Sequence, residues 1–138
     1  GNFYYVDCYN ANPASMLDAI RFFQRQAGDL PKLLTLGGME ELGDEGPRLH
    51  QETGSSIKIG PSDKVLLIGE KAQWMKDGIL QAGVEEESIE SVADLLEAKS
   101  LVSEFEGAVL LKGSRTNALE TLVPDWATEE GKMEYAGC

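Results

Sequence analysis

Polar side chains follow the first apolar run of this sequence, which extends from Phe3 to Val6. Asp7 places a carboxylate directly after that run, and Asn10 and Asn12 place amides just before an amphipathic helical pattern. Ligands of α/β proteins commonly bind where a strand ends and a helix begins, since the helix start offers unpaired N–H groups and a positive dipole end. Asn12 with Pro13 is also a favourable helix start, so the pattern alone leaves a binding site and a structural turn equally open.

A cationic turn stands near the other end of the chain, where an apolar run is followed by Lys112, Gly113, Ser114 and Arg115. Either cation can pair with a carboxylate, the glycine permits close backbone approach, and the serine can donate a hydrogen bond. The same residue types also suit a strand-to-helix turn with a capping serine and two solvated cations. The pattern therefore indicates either an anion-binding turn or a structural one.

His50 is the only histidine of the sequence, and it follows the acidic pair Glu40 and Glu41. Its ordinary pKa near neutrality would suit a general base. We favour instead a histidine on a helix surface that forms a hydrogen bond to the neighbouring loop. Two carboxylates without partner ligands make a weak metal site, so we predict no metal ligands in this chain.

The elements that must position these residues alternate between short apolar runs and helical patterns. The predicted strands are 3–8, 32–36, 64–68, a weaker one near 88–91, and 108–111. The predicted helices begin after Asn12 and then cover 48–57, 71–82, 93–104 and 116–123. This alternation predicts an α/β, Rossmann-like three-layer domain, with a mostly parallel sheet of about five or six strands and helices on both faces.

The amino-acid composition limits the partners and the location that we expect for this protein. The 138 residues include 24 acidic and 12 basic side chains, which gives a net charge of −12. This charge disfavours nucleic acid and anionic membranes as partners, because both would repel the domain. No apolar run is long enough to cross a membrane, and no secretory signal is visible. The two cysteines show no metal-ligand spacing, so we expect a reducing, cytoplasmic location.

Three segments, in this order and spacing, resemble the C-terminal domain of the Mur ligases. The likeness is to the members that join D-alanyl-D-alanine to UDP-N-acetylmuramoyl-tripeptide. The first segment is Asp7-Cys8-Tyr9-Asn10-Ala11-Asn12-Pro13. The second is Gly38-Met39-Glu40-Glu41-Leu42-Gly43 followed by His50, and the third is Lys112-Gly113-Ser114-Arg115 with Glu120. The family usually has Asp where this chain has Gly38, and it tends towards Gly and Met where this chain has Thr116 and Leu119.

The resemblance implies a role for each segment. The residues that would face ATP are Asp7, Tyr9, Asn10 and Asn12, with the Asp7 carboxylate a candidate for the ribose hydroxyls. The residues that would bind the incoming dipeptide are Lys112, Gly113, Ser114 and Arg115. Glu41 and His50 would contribute to the loop between them. No catalytic residue is expected in this chain.

The resemblance also implies that this chain is one part of a larger ligase. Mur ligases carry a phosphate-binding loop and their magnesium ligands in a central domain, and the pattern of such a loop is missing from this sequence. ATP and Mg²⁺ would therefore be held mainly by the central domain, and this chain alone would be inactive. The domain would bring the amine, close over ATP and exclude water from an acyl phosphate.

The chain is expected to contain one domain and a short tail. We expect residues 1–124 to form the amine-substrate-binding domain and residues 125–138 to form a C-terminal tail. The expected substrates are UDP-N-acetylmuramoyl-tripeptide and D-alanyl-D-alanine. The alternatives are a Mur-type ligase domain for another amine substrate and a stand-alone binding module without catalysis.

Overall fold

The computed structural model describes residues 3–7, 12–113, 118–125, 127 and 133–135. Its six strands are β1 (Phe3–Asp7), β2 (Lys32–Leu36), β3 (Lys64–Ile68), β4 (Ile89–Val92), β5 (Ala108–Lys112) and β6 (Met133–Tyr135). They form one sheet in the order β4-β3-β2-β5-β1-β6. Every neighbouring pair of strands is parallel, so the carboxyl ends of all six strands lie along one edge of the sheet.

The helices connect these strands. They are α1 (Pro13–Ala27), α2 (Gly46–Ser55), α3 (Glu70–Gln81) and α4 (Leu95–Glu104). Short 3-10 turns lie at Gly43–Glu45, Glu86–Ser88 and Leu119–Leu122. Within the described ranges, no helix combines the length and the apolar character that a membrane span needs.

The two faces of the sheet are covered by different helices. One core contains Met16, Ile20 and Phe23 of α1 with residues of α3, and the other contains Ala98 and Val102 of α4. The chain steps from β2 to β3 to β4 in one direction and returns through α4 to β5. Because crossovers between parallel strands are right-handed, reversing the direction places the returning helix on the opposite face.

The predicted fold class is confirmed, and two strands occupy their predicted bounds. Strands β2 and β3 cover 32–36 and 64–68 as predicted, because each is a buried apolar run. Helix α2 begins two residues earlier than predicted, with Pro47 in its first turn. Helix α4 begins later, at Leu95, because the Asp94 side chain caps it by accepting from the Glu97 N–H.

Two predictions near the end of the chain differ from the structure. The helix predicted over 116–123 is instead a 3-10 turn over Leu119–Leu122, and residues 116 and 117 lie outside the described part. Ala118 has a φ of 52°, a left-handed conformation that does not continue an α-helix. The stretch treated as a tail contributes β6, which pairs with β1 through Tyr4 and Met133. Three residues are too few to show strand periodicity in a sequence, which explains why β6 was missed.

Candidate functional site

The carboxyl edge of the sheet brings the first and third motif segments together. Asp7, the last residue of β1, lies opposite Lys112, the last residue of β5. On the other side of β5, Lys112 lies opposite Leu36 at the end of β2. The backbone N–H of Gly37 donates to the carbonyl oxygen of Lys112 over 2.9 Å. The loops after β1, β2 and β5 therefore start from one place, where open α/β sheets commonly bind ligands.

A buried ion pair lies at this edge and joins β1 to β5. The Lys112 ammonium donates to Asp7 Oδ1 over 2.8 Å, and the side chains are 1% and 18% exposed, respectively. Tyr5 and Leu110 precede these two residues by two positions and pack in the core that α1 covers. Since strand side chains alternate, Asp7 and Lys112 lie on that same face. A charge withdrawn from water needs a close opposite charge, and each residue supplies it to the other.

Asn12 caps helix α1. Its Oδ1 accepts from the Ser15 N–H over 2.9 Å, and Ser15 Oγ accepts from the Asn12 N–H over 3.0 Å. Pro13 takes the first helical position, where it needs no N–H partner. The structural interpretation of this helix start is confirmed. The cap uses the side-chain oxygen of Asn12 and leaves its amide nitrogen outside the capping interaction.

Several predicted site residues lie outside the described part of the chain. These are Tyr9 and Asn10 in the first segment and Ser114 and Arg115 in the third. Their assigned roles stay predictions. Gly113 is described and buried directly after β5.

His50 holds the loop that follows β2. Its Nε2 accepts from the backbone N–H of Met39 over 2.9 Å, and its Nδ1 lies 2.7 Å from the carbonyl oxygen of Gly46. These partners define a neutral ring with the proton on Nδ1, since the carbonyl can only accept. The ring also meets Trp74 edge-on at 5.2 Å between centroids. The predicted hydrogen bond to the loop is present.

The surroundings of His50 oppose a role as a general base. The residue is fully buried, so the prediction that it lies on the helix surface is wrong. Burial lowers the pKa of His50, and the positive charge of Lys71 lowers it further, against the opposing effects of the Gly46 carbonyl and Glu40. Both ring nitrogens already have partners. The arrangement is that of a neutral histidine that positions a loop.

Close glycine contacts fix the helix that carries His50. A Cβ on Gly78 of α3 would lie 2.0 Å from the carbonyl oxygen of Gln51, and one on Gly54 of α2 would lie 2.3 Å from that of Met75. Only glycine permits this approach of α2 to α3. The backbone contact fixes α2, and with it the imidazole, beside the loop.

The acidic part of the loop is held differently. Glu40 forms an ion pair with Lys71 at the start of α3, and both side chains are partly exposed. Glu41 is exposed and has a φ of 60°. A Cβ on Gly38 would lie 2.5 Å from the Cβ of Lys71, so the Asp that the family usually has would not fit this backbone. Sequence reasoning missed Lys71, because its contact with the loop depends on how α3 is placed.

The described residues offer no cluster of ligands for a metal ion. Nowhere in that part of the chain do three His, Cys, Asp or Glu side chains gather as a metal site would require. Glu40, one of the two acidic candidates, is instead paired with Lys71. The described residues therefore do not fit a magnesium site.

Comparison with known proteins gives consistent matches. The chain matches the family described as Mur ligase, glutamate ligase domain, over residues 1–115. UDP-N-acetylmuramoyl-tripeptide–D-alanyl-D-alanine ligase from Bacillus subtilis is 34% identical over 122 residues, and the enzyme of that name from Rickettsia prowazekii is 31% identical over 117. The alignments cover 86% and 85% of this chain but 26% of each relative. This chain therefore spans about a quarter of the length of these relatives.

Solved structures show the same fold. MurF from Acinetobacter baumannii superposes with a TM-score of 0.66 at 26% identity, over 83% of this chain and 25% of that protein. The MurF ligase from Thermotoga maritima, solved in complex with ADP, superposes with a TM-score of 0.62 at 22% identity, over 83% and 25%. The second likeness shows the fold alone. The family match extends over most of the chain and agrees with the strand-end geometry; the chain belongs to the Mur ligase family.

Proposed function

We propose that this chain is the C-terminal domain of an ATP-dependent ligase that adds D-alanyl-D-alanine to UDP-N-acetylmuramoyl-tripeptide. The reaction would serve peptidoglycan precursor synthesis in the cytoplasm. The observation that carries the proposal is the meeting of the motif segments at one sheet edge, where Lys112 contacts Asp7 and its carbonyl accepts from Gly37. The curated relatives of that name support the choice of amine.

The chemistry explains why such a domain is needed. The peptide carboxylate is activated by ATP as an acyl phosphate, and the amine of the dipeptide then attacks it and releases phosphate. Because water would compete with the amine, the site must form only around bound substrates. A domain that carries the amine to the nucleotide meets this need. ATP phosphates and Mg²⁺ would be held mainly by a central domain outside this chain.

The proposed roles follow the positions of the residues. Asp7, 18% exposed at the end of β1, would accept hydrogen bonds from the ribose hydroxyls of ATP. Arg115 with Ser114 would meet the carboxylate of the dipeptide, because Lys112 in the same turn is already engaged by Asp7. Asn12 would present its amide nitrogen at the start of α1 while its oxygen caps the helix.

A ligation assay tests the proposal. The full-length protein is incubated with the tripeptide precursor, ATP, Mg²⁺ and a panel of amines, and phosphate release and product mass are measured. We expect efficient product formation with D-alanyl-D-alanine only. Preference for another amine would instead establish a different Mur-type ligase, and absence of ligation with every amine would favour a binding module. The isolated chain is expected to release no phosphate from ATP.

Replacement of Arg115 tests the amine site. Loss of a charge-assisted hydrogen bond costs about 1.5–3 kcal/mol, or roughly a tenfold to hundredfold change in affinity. Arg115→Met in the full-length enzyme should therefore raise the KM for D-alanyl-D-alanine by at least about tenfold with little change for ATP. The matched control is Arg48→Met, because Arg48 is an exposed arginine on α2 that pairs with glutamates. Equal dipeptide KM values for the two variants would remove Arg115 from the site.

Replacement of Asn12 separates capping from nucleotide binding. Asn12→Asp keeps an oxygen that can cap α1 and removes the amide donors. We expect the melting temperature to stay near the wild-type value while ligase activity falls. Unchanged activity would leave Asn12 with its capping role alone.

A further inference from the structure

Among the described residues of the candidate site, Lys112 has the most deeply buried charged side chain. Its exposure is 1%, whereas the Asp7 side chain that it contacts keeps an exposure of 18%. The ammonium therefore cannot reach a solvent-borne ligand without breaking its contact with Asp7 and leaving the core. The carboxylate, in contrast, retains a part that is open at the edge of the sheet.

The backbone around this pair leaves it little freedom. Asp7 and Lys112 are directly opposite residues of two parallel strands, and β5 is buried along its whole length. The carbonyl of Lys112 also accepts from Gly37, which joins the loop after β2 to the same position. The backbone of Lys112 is fixed, its aliphatic stem is buried, and its ammonium lies 2.8 Å from Asp7 Oδ1. Lys112 therefore holds one carboxylate oxygen of Asp7 in a defined place.

We infer that Lys112 is a positioning residue for Asp7, and that it acts on nucleotide binding through that carboxylate rather than on the amine substrate by direct contact. This inference rests on the proposed function, in which Asp7 faces ATP. Lys112 keeps Asp7 oriented at the strand end, and the exposed part of the carboxylate meets the ligand. The third segment thereby acts on the nucleotide through Lys112, although its other residues are proposed to serve the dipeptide.

Two substitutions and their combination test the inference in the full-length protein. The dissociation constant of ADP is measured by calorimetry for wild type, Asp7→Asn, Lys112→Met and the double variant. Each single variant should weaken ADP binding by at least about tenfold, which corresponds to one charge-assisted contact. Lys112→Met should weaken it by less than about twofold in the Asp7→Asn background, because groups that act as one unit are not additive. Lys64→Met, a loss of one exposed lysine at the opposite sheet edge, controls for net charge.

The readouts separate the possible outcomes. If Lys112→Met raised the KM for D-alanyl-D-alanine tenfold and left ADP binding unchanged, Lys112 would be an amine ligand and the inference would be overturned. Additive losses of ADP affinity would overturn it as well, since Lys112 would then act independently of Asp7. Should Lys112→Met unfold, the double variant removes both charges and gives the comparison with Asp7→Asn alone. ADP binding needs no amine, so a failure of the proposed dipeptide specificity would appear only in the ligation assay.

Discussion

The same edge of the sheet is held by two buried polar contacts of different kinds. Lys112 and Asp7 form a charged pair between neighbouring strands, whereas His50 is a neutral ring between a helix and a loop. The pair joins residues that are 105 positions apart, and the histidine bonds a backbone group 11 positions away. One contact therefore depends on the sheet, and the other depends on how α2 packs.

The difference in charge between the two contacts determines which change weakens each of them. A buried ion pair is costly to break from one side, because the remaining charge stays partly buried. A neutral histidine loses its acceptor when it gains a proton, and burial lowers the pKa at which His50 does so. The charged pair therefore responds mainly to the removal of one partner, whereas the histidine contact also responds to acid.

The largest expected effect comes from removing one partner of the pair. Lys112→Met leaves the Asp7 carboxylate without its cation, and we expect a loss of about 3 kcal/mol in the free energy of unfolding. Because Asp7 is partly exposed, the expected loss of stability lies at the lower end of the range for breaking a buried ion pair. The double variant Asp7→Asn with Lys112→Met should regain most of this loss. Urea unfolding of the chain measures both, and a double variant as unstable as the single one would contradict the charge argument.

Removal of the histidine should have the next largest effect. His50→Ala leaves the buried Met39 N–H without its partner and removes the ring's bond to the Gly46 carbonyl, which costs about 2–3 kcal/mol. Gln51→Ala, at the next position of the same helix, is the matched control and should change the midpoint little. Similar urea midpoints for the two variants would show that His50 does not hold the loop.

Acid should weaken the histidine contact. The pKa of His50 is lowered in the folded state, so the unfolded chain binds the proton more readily. The stability that His50 contributes is then complete above its ordinary pKa of about 6.5 and declines as the pH falls below that value. Wild type should lose stability relative to His50→Gln, which has no titrating ring, as the pH falls below about 6.5. Parallel pH curves for the two proteins would contradict the assignment.

The smallest effect is expected at an exposed ion pair. Arg48 contacts Glu45 over 2.9 Å and Glu52 over 2.7 Å, with side chains that are 53–65% exposed. These contacts are as short as the buried contact between Lys112 and Asp7, but water and salt screen the exposed charges. Arg48→Ala should shift the urea midpoint less than Lys112→Met and His50→Ala do, and added salt should abolish the shift. A loss as large as that of Lys112→Met would show that burial does not separate these pairs.

Individual residues show how far sequence reasoning extended. The strands at 32–36 and 64–68 and the cap at Asn12 were predictable because each depends on neighbouring residues. The motif segments were recognised from the residue types themselves. The partner of Lys112 was not predictable, because the parallel register that places it beside Asp7 depends on the order of the strands.

The sequence alone determined the alternation of strands and helices, the helix start at Asn12 and the likeness to the Mur ligases. Those features follow from local periodicity and from residue types in order. The tertiary structure alone decided that Lys112 faces Asp7, that His50 is buried, and that Gly38 lies against Lys71. Each of these is a contact between segments that are distant along the chain. Such contacts exist only once the sheet order and the α2–α3 packing are in place, and no local pattern encodes them.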